Sequence, residues 1–129
     1  MGFDQYHEPP EELPAETRTF ARLCASLTEE AEAIGWYEQR LAVEPNPLAR
    51  SVMQNALGEE FKHFSMDLEF LLRQKPEWRE IARGILFKDG DIVEHGEEAE
   101  AAADDDDVTL NPPPASSDSL GIGSLKGRR

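Results

Sequence analysis

The chain has 129 residues, with 13 Lys and Arg against 27 Asp and Glu, for a formal net charge of -14. That length allows one domain at most, and so negative a balance argues against a nucleic-acid or anionic-membrane partner while making metal cations the natural counter-charge. Cys24 is the only cysteine, which excludes an intrachain disulfide and fits a reducing cytosol; no run of about 18 apolar residues exists to cross a membrane, and Met1 to Pro10 form no apolar export signal.

Residues 1–13 mix prolines, acids and aromatics without periodicity and read as an arm; a His7-Glu8 pair lies within it. Pro14 suits the first turn of a helix, Glu16 sits near its positive end, and helical periodicity continues to about Val43. Phe20, Leu23, Leu27, Glu30, Ile34, Tyr37 and Leu41 recur at alternating steps of three and four, an unbroken seam whose one charged member is Glu30. A lone acid there can set register or pair with a cation across an interface. It can also be a metal ligand, and the second helix favours that reading because it carries inward donors of its own. Glu29 and Glu32 flank the seam as a solvated face or as an acidic guide for cations. Trp36 and Tyr37, one and two turns on, are packing surface or a screen, and the Tyr37 hydroxyl is a candidate hydrogen-bond partner for a ligand carboxylate.

Glu44-Pro45-Asn46-Pro47 must end the first helix and leaves a short connection of the kind that joins antiparallel helices. The second helix is expected from about Leu48 to Gln74. Its inner positions read as Met53, Ala56, Glu60, His63, Asp67 and Phe70, and an apolar stripe of Leu57, Phe61, Phe64, Leu68 and Leu71 runs beside them. The pattern predicts a largely buried helix that carries Glu60 and His63 inward from successive turns. A buried carboxylate costs several kcal/mol, roughly, unless a cation or hydrogen bonds compensate, and a metal held by Glu30, Glu60 and His63 would do so. Gly58 marks a close approach or a bend beside that site. Pro76 opens a third, shorter helix to about Phe87, and a Lys88-Asp89-Gly90-Asp91 turn follows.

From Asp91 the composition changes. Residues 94–107 hold eight acids and no Lys or Arg, and residues 111–119 are rich in Pro and Ser, so 91–118 read as a disordered, self-repelling linker. Beyond it, in 119–129, Leu120, Ile122 and Leu125 are apolar knobs spaced by Gly and Ser, the form of an extended docking peptide.

Three stretches resemble the encapsulated ferritins: Glu30-Ala31-Glu32-Ala33-Ile34-Gly35-Trp36-Tyr37-Glu38-Gln39-Arg40; Glu59-Glu60-Phe61-Lys62-His63 with Met66, Leu68 and Glu69; and Leu86-Phe87. The resemblance covers roughly Pro14 to Ile92, and the C-terminal Ser-Leu-Gly-Ile-Gly-Ser-Leu-Lys is similar to the peptide that loads cargo into encapsulin nanocompartments. It implies an all-α fold over 14–90, an antiparallel two-helix hairpin plus a short third helix, or half-ferritin. Iron is the implied ligand of Glu30, Glu60 and His63, with Tyr37 beside the chemistry. Glu29 and Glu32 would form an acidic metal-binding entrance approached past Trp36, with calcium or zinc as further candidate occupants. The implied activity is that of a ferroxidase inside a cytoplasmic encapsulin shell, and the implied assembly is an annular decamer.

The dimer within that assembly follows from donor arithmetic. Ferritin-like di-iron sites take a Glu from each of two helices and a Glu-x-x-His from each of the other two, and this chain has one helix of each kind. Two chains would supply four carboxylates and two imidazoles, completing a four-helix-bundle-like di-iron site by dimerisation. Two other readings compete: a non-enzymatic helical adaptor joined by metal, for which zinc would serve, and a monomeric hairpin whose seam acids lie at the surface.

Overall fold

The computed structural model describes residues 5–110, with side chains through residue 105. Among them it is all-helical: a 3-10 turn at Pro10–Glu12 in the arm, then α1 (Ala15–Val43), α2 (Pro47–Gln74), α3 (Pro76–Ile85) and α4 (Ile92–Leu110). The first three helices begin and end within two residues of the sequence expectation, because proline marks each start and follows the ends of α1 and α2. Asn46 starts α2 by accepting the N–H groups of Leu48 and Ala49 at 3.0 Å each, while Pro47 occupies a first-turn position whose N–H has no helical partner. The chain divides after Arg79 into two compact units.

In the first unit α1 and α2 pack as an antiparallel hairpin. Near the turn the Arg50 guanidinium donates to the carbonyls of Leu41 and Glu44. Midway, His63 faces Glu30, and at the open end the Lys75 ammonium lies 5.1 Å over the Phe20 ring. The Glu69 carboxylate accepts two hydrogen bonds from one Arg79 nitrogen, at 3.1 and 3.2 Å. All seven residues of the α1 seam are at least half-buried.

The second helix is less buried than its pattern predicts. Its buried members are Leu57, Leu71 and Leu72, with Leu71 wholly enclosed, whereas Phe61 is 52% exposed. Helical geometry explains the difference. At about 100° per residue, Phe61 and His63 stand about 80° to either side of Leu71, so neither the stripe through Phe61 nor the row through His63 can be the centre of the buried face. His63 therefore stands at one edge of the hairpin and Phe61 at the other, while Glu60, about 20° around α2 from Leu71, lies near the centre of the buried face.

In the second unit, Asp91 caps α4 by accepting the N–H groups of Val93 and Glu94 at 2.9 and 3.0 Å. Phe87 (φ 62°) and Gly90 (φ 103°) supply the left-handed turns that bring the chain back. Gly84 of α3 meets Ala99 of α4 so closely that a Cβ on Gly84 would lie 2.5 Å from the Ala99 Cβ. The expectation of a disordered linker from residue 91 is therefore corrected over Ile92–Leu110. Its acids repel one another, but a cap at Asp91, four alanines within 99–103 and a small-residue contact favour helix over coil. The Pro/Ser-rich segment and the peptide bearing Leu120, Ile122 and Leu125 lie outside the described residues.

Candidate metal centre

Glu30 projects from the middle of α1, and Glu60 and His63 project from successive turns of α2 at the same level. One donor atom from each lies within 4.8 Å of the other two. His63 Nδ1 is 3.9 Å from Glu30 Oε2 and 3.8 Å from Glu60 Oε2. Two donors each about 2.1 Å from a shared ion stand at most about 4.2 Å apart, so both separations suit a common cation and are too long for hydrogen bonds.

Electrostatics point the same way. Glu60 Oε2 is buried with no hydrogen-bond partner among the described residues, a costly state for a carboxylate oxygen. Glu30 is pushed up from 4.5 to about 7: first by the Glu60 carboxyl, with which it can share a proton, then by burial and by the Glu60 charge, with His63 opposing and Asp67 adding to the rise. Two ionised carboxylates cannot hydrogen-bond each other, so without a cation the fold favours one proton between them. Two carboxylates and one imidazole suit iron, zinc or manganese. Among the described residues the group nonetheless has only three donors, and the side chains of Glu30, Glu60 and His63 keep 22%, 20% and 46% of their surface exposed.

Glu29 and Glu32 are exposed on α1 and stand outside the three-donor group, as does Trp36 at 52% exposure. Tyr37 is half-buried with the Arg40 guanidinium 5.3 Å above its ring. Glu59 is exposed and pairs with Lys62 at 2.5 Å, which holds its carboxyl below the usual range. Asp67 appears in the sequence pattern as one inner position among six. The structure distinguishes it: Oδ2 is buried and, like Glu60 Oε2, has no partner among the described residues.

A two-helix hairpin with Glu on one helix and Glu-x-x-His on the other is the class of half a ferritin-like bundle. The chain belongs to the EncFtn-like family, which matches residues 5–89. It is 37% identical over 122 residues to the encapsulated ferritin-like protein of Rhodospirillum rubrum, an alignment covering 94% of this chain and 87% of that one. It is 43% identical over 95 residues to a ferritin-like protein of Thermotoga maritima, covering 74% and 83%. A Nitrosomonas europaea protein of known crystal structure superposes with a TM-score of 0.67 at 34% identity, over 69% of this chain and 98% of that one.

Proposed function

We propose that the protein is a ferroxidase whose catalytic centre forms between two copies of the chain. The observation that carries this reading is the half-set itself: two carboxylates and one imidazole converge between α1 and α2, and among the described residues one carboxylate oxygen is buried without a partner and no fourth donor completes the group. A two-fold mate would add a second Glu30, Glu60 and His63. Four carboxylates then balance two Fe(II), and the imidazoles complete the donor set without adding charge.

Fe(II) is the substrate. Uptake displaces the proton that Glu30 shares with Glu60, because both carboxylates must be ionised to bind. Two Fe(II) give up two electrons, and dioxygen with two protons accepts them as hydrogen peroxide; with peroxide as the oxidant the same two electrons yield water. The ferric product carries two more positive charges than the site balances, which favours hydroxide or oxide as counter-ions and release toward mineral. Glu29 and Glu32 are placed to attract cations on the surface of α1, with Trp36 beside the approach and Tyr37 available to orient a carboxylate.

The R. rubrum relative is named an encapsulated protein. The C-terminal Leu120, Ile122 and Leu125 fit the same role here: this chain is cargo of an encapsulin shell, an iron-storage compartment to which it delivers ferric ion, and the dimers assemble into a decameric ring. Stopped-flow oxidation tests the catalytic part. Glu60→Ala and His63→Ala are each expected to reduce rapid Fe(II) oxidation to the uncatalysed background, and wild-type rates in either variant would remove that residue from the centre. If the unaltered protein binds Fe(II) but oxidises it no faster than buffer, the metal is structural and the chain is an assembly module.

A further inference from the structure

Asp67 lies on α2 one turn beyond His63 and two turns beyond Glu60. Its Oδ2 is buried and accepts no hydrogen bond, and among the described residues no Lys, Arg or His comes within salt-bridge distance of it. Around α2 it stands about 40° from His63 and about 20° from Glu60, on the same inward face. The chain therefore keeps a third carboxyl group beside Glu30, Glu60 and His63 and, among the described residues, gives it no counter-ion. Asp67 also stands outside the set of atoms that can share one ion. A direct ligand role is not what this position provides.

We propose that Asp67 is a positioning carboxylate of the metal centre, whose uncompensated charge strengthens the hold of Glu30, Glu60 and His63 on a cation. This rests on the reading of that group as a metal centre. The physical basis is the balance of charge inside a partly dry site. With no ion bound, Asp67 adds unfavourable negative charge beside a group already rich in carboxylate oxygens. With an ion bound, the same charge becomes attractive to it, so the interaction changes sign on loading and its whole difference appears in affinity. The attraction scales with the valence of the ion and is half as large again for a trivalent ion as for a divalent one at the same place. A fixed anion at Asp67 therefore favours the ferric state over the ferrous one, in the direction of the reaction. The carboxylate also has a free acceptor atom with which to hold an ion-bound water.

Asp67→Asn separates this role from a structural one, because it removes the charge and keeps the shape. Zn(II), which has no redox chemistry, is the probe, read by calorimetric titration of the full chain alongside thermal melting of the metal-free protein. The expected result is about a tenfold to hundredfold loss of Zn(II) affinity in Asp67→Asn, the range for partners of a metal centre that are not themselves ligands, together with a higher melting temperature without metal. Asp67→Leu is expected to show the same pair of changes. Wild-type Zn(II) affinity in both variants overturns the proposal, whatever happens to melting, since a merely unpaired buried acid would alter stability alone. Lower metal-free stability in both variants with unchanged affinity also overturns it and assigns Asp67 to packing or to a protein partner. If the unaltered chain and Glu60→Ala take up Zn(II) equally, the metal-centre reading itself fails, and this inference with it.

Discussion

At Glu30 a proton and a cation compete for the same oxygens. Its folded pKa is raised from 4.5 to about 7, so the fold favours the protonated acid. The resulting stability is present below about pH 4.5 and is lost as pH rises toward 7. A bound cation reverses the sign, because only the ionised carboxylate binds it. The metal-free protein is therefore expected to lose melting temperature between pH 4.5 and 7, and Glu30→Gln to flatten that slope. Zn(II) should raise the melting temperature more at pH 7.5 than at pH 5.5. Scanning fluorimetry across this range checks both, and an unchanged slope in Glu30→Gln would place the titration elsewhere. This residue was legible in the sequence because a charged side chain interrupted an apolar seam. Asp67 was not singled out, since three-and-four spacing shows which positions face inward but not which inward acid lacks a partner.

Among the elements, α1, α2 and α3 could be read from their punctuation: prolines at their starts, and Asn46 before Pro47. The helix α4 could not be read from composition, because a run of acids looks alike whether solvated as coil or as helix. The local signal was Asp91 ahead of Ile92-Val93, a cap followed by apolar residues. What composition lacked was the tertiary contact in the second unit, where Gly84 leaves room for Ala99. Gly84→Ala would place a methyl group 2.5 Å from the Ala99 Cβ, and overpacking of this kind costs about 1–3 kcal/mol. Faster amide exchange in α4 with little change in α1 is the expected outcome. Gly35 and Gly58 have nothing within 4 Å of an added Cβ, so alanine there is the control, and it should leave α4 unaffected. That open space also means that, among the described residues, no close helix approach occurs at Gly58.

For the whole molecule the measure is how little one chain encloses. Leu71 is the single side chain among the described residues with no exposed surface to speak of, while Trp36, Val43, Leu48, Val52, Phe61 and Met66 are more than half exposed. So much exposed apolar surface on a two-helix hairpin is what a neighbouring copy would cover in the proposed assembly. Light scattering is expected to report species larger than one chain when Fe(II) or Zn(II) is present, shifted toward smaller species in Glu60→Ala and His63→Ala. A constant single-chain mass under every condition would support the monomeric reading with surface acids. Composition and seam spacing disclosed half a bundle; its shallow burial followed only from seeing Phe61 and His63 on opposite margins.

Those opposite margins limit how chains can join. A two-fold contact uses one patch twice, so a mate laid over the His63 side spends that side on both chains and leaves both aromatic flanks, about 160° around α2, bare to water. Under the proposed pairing that apolar margin stays uncovered, and it is the surface by which one pair would meet the next.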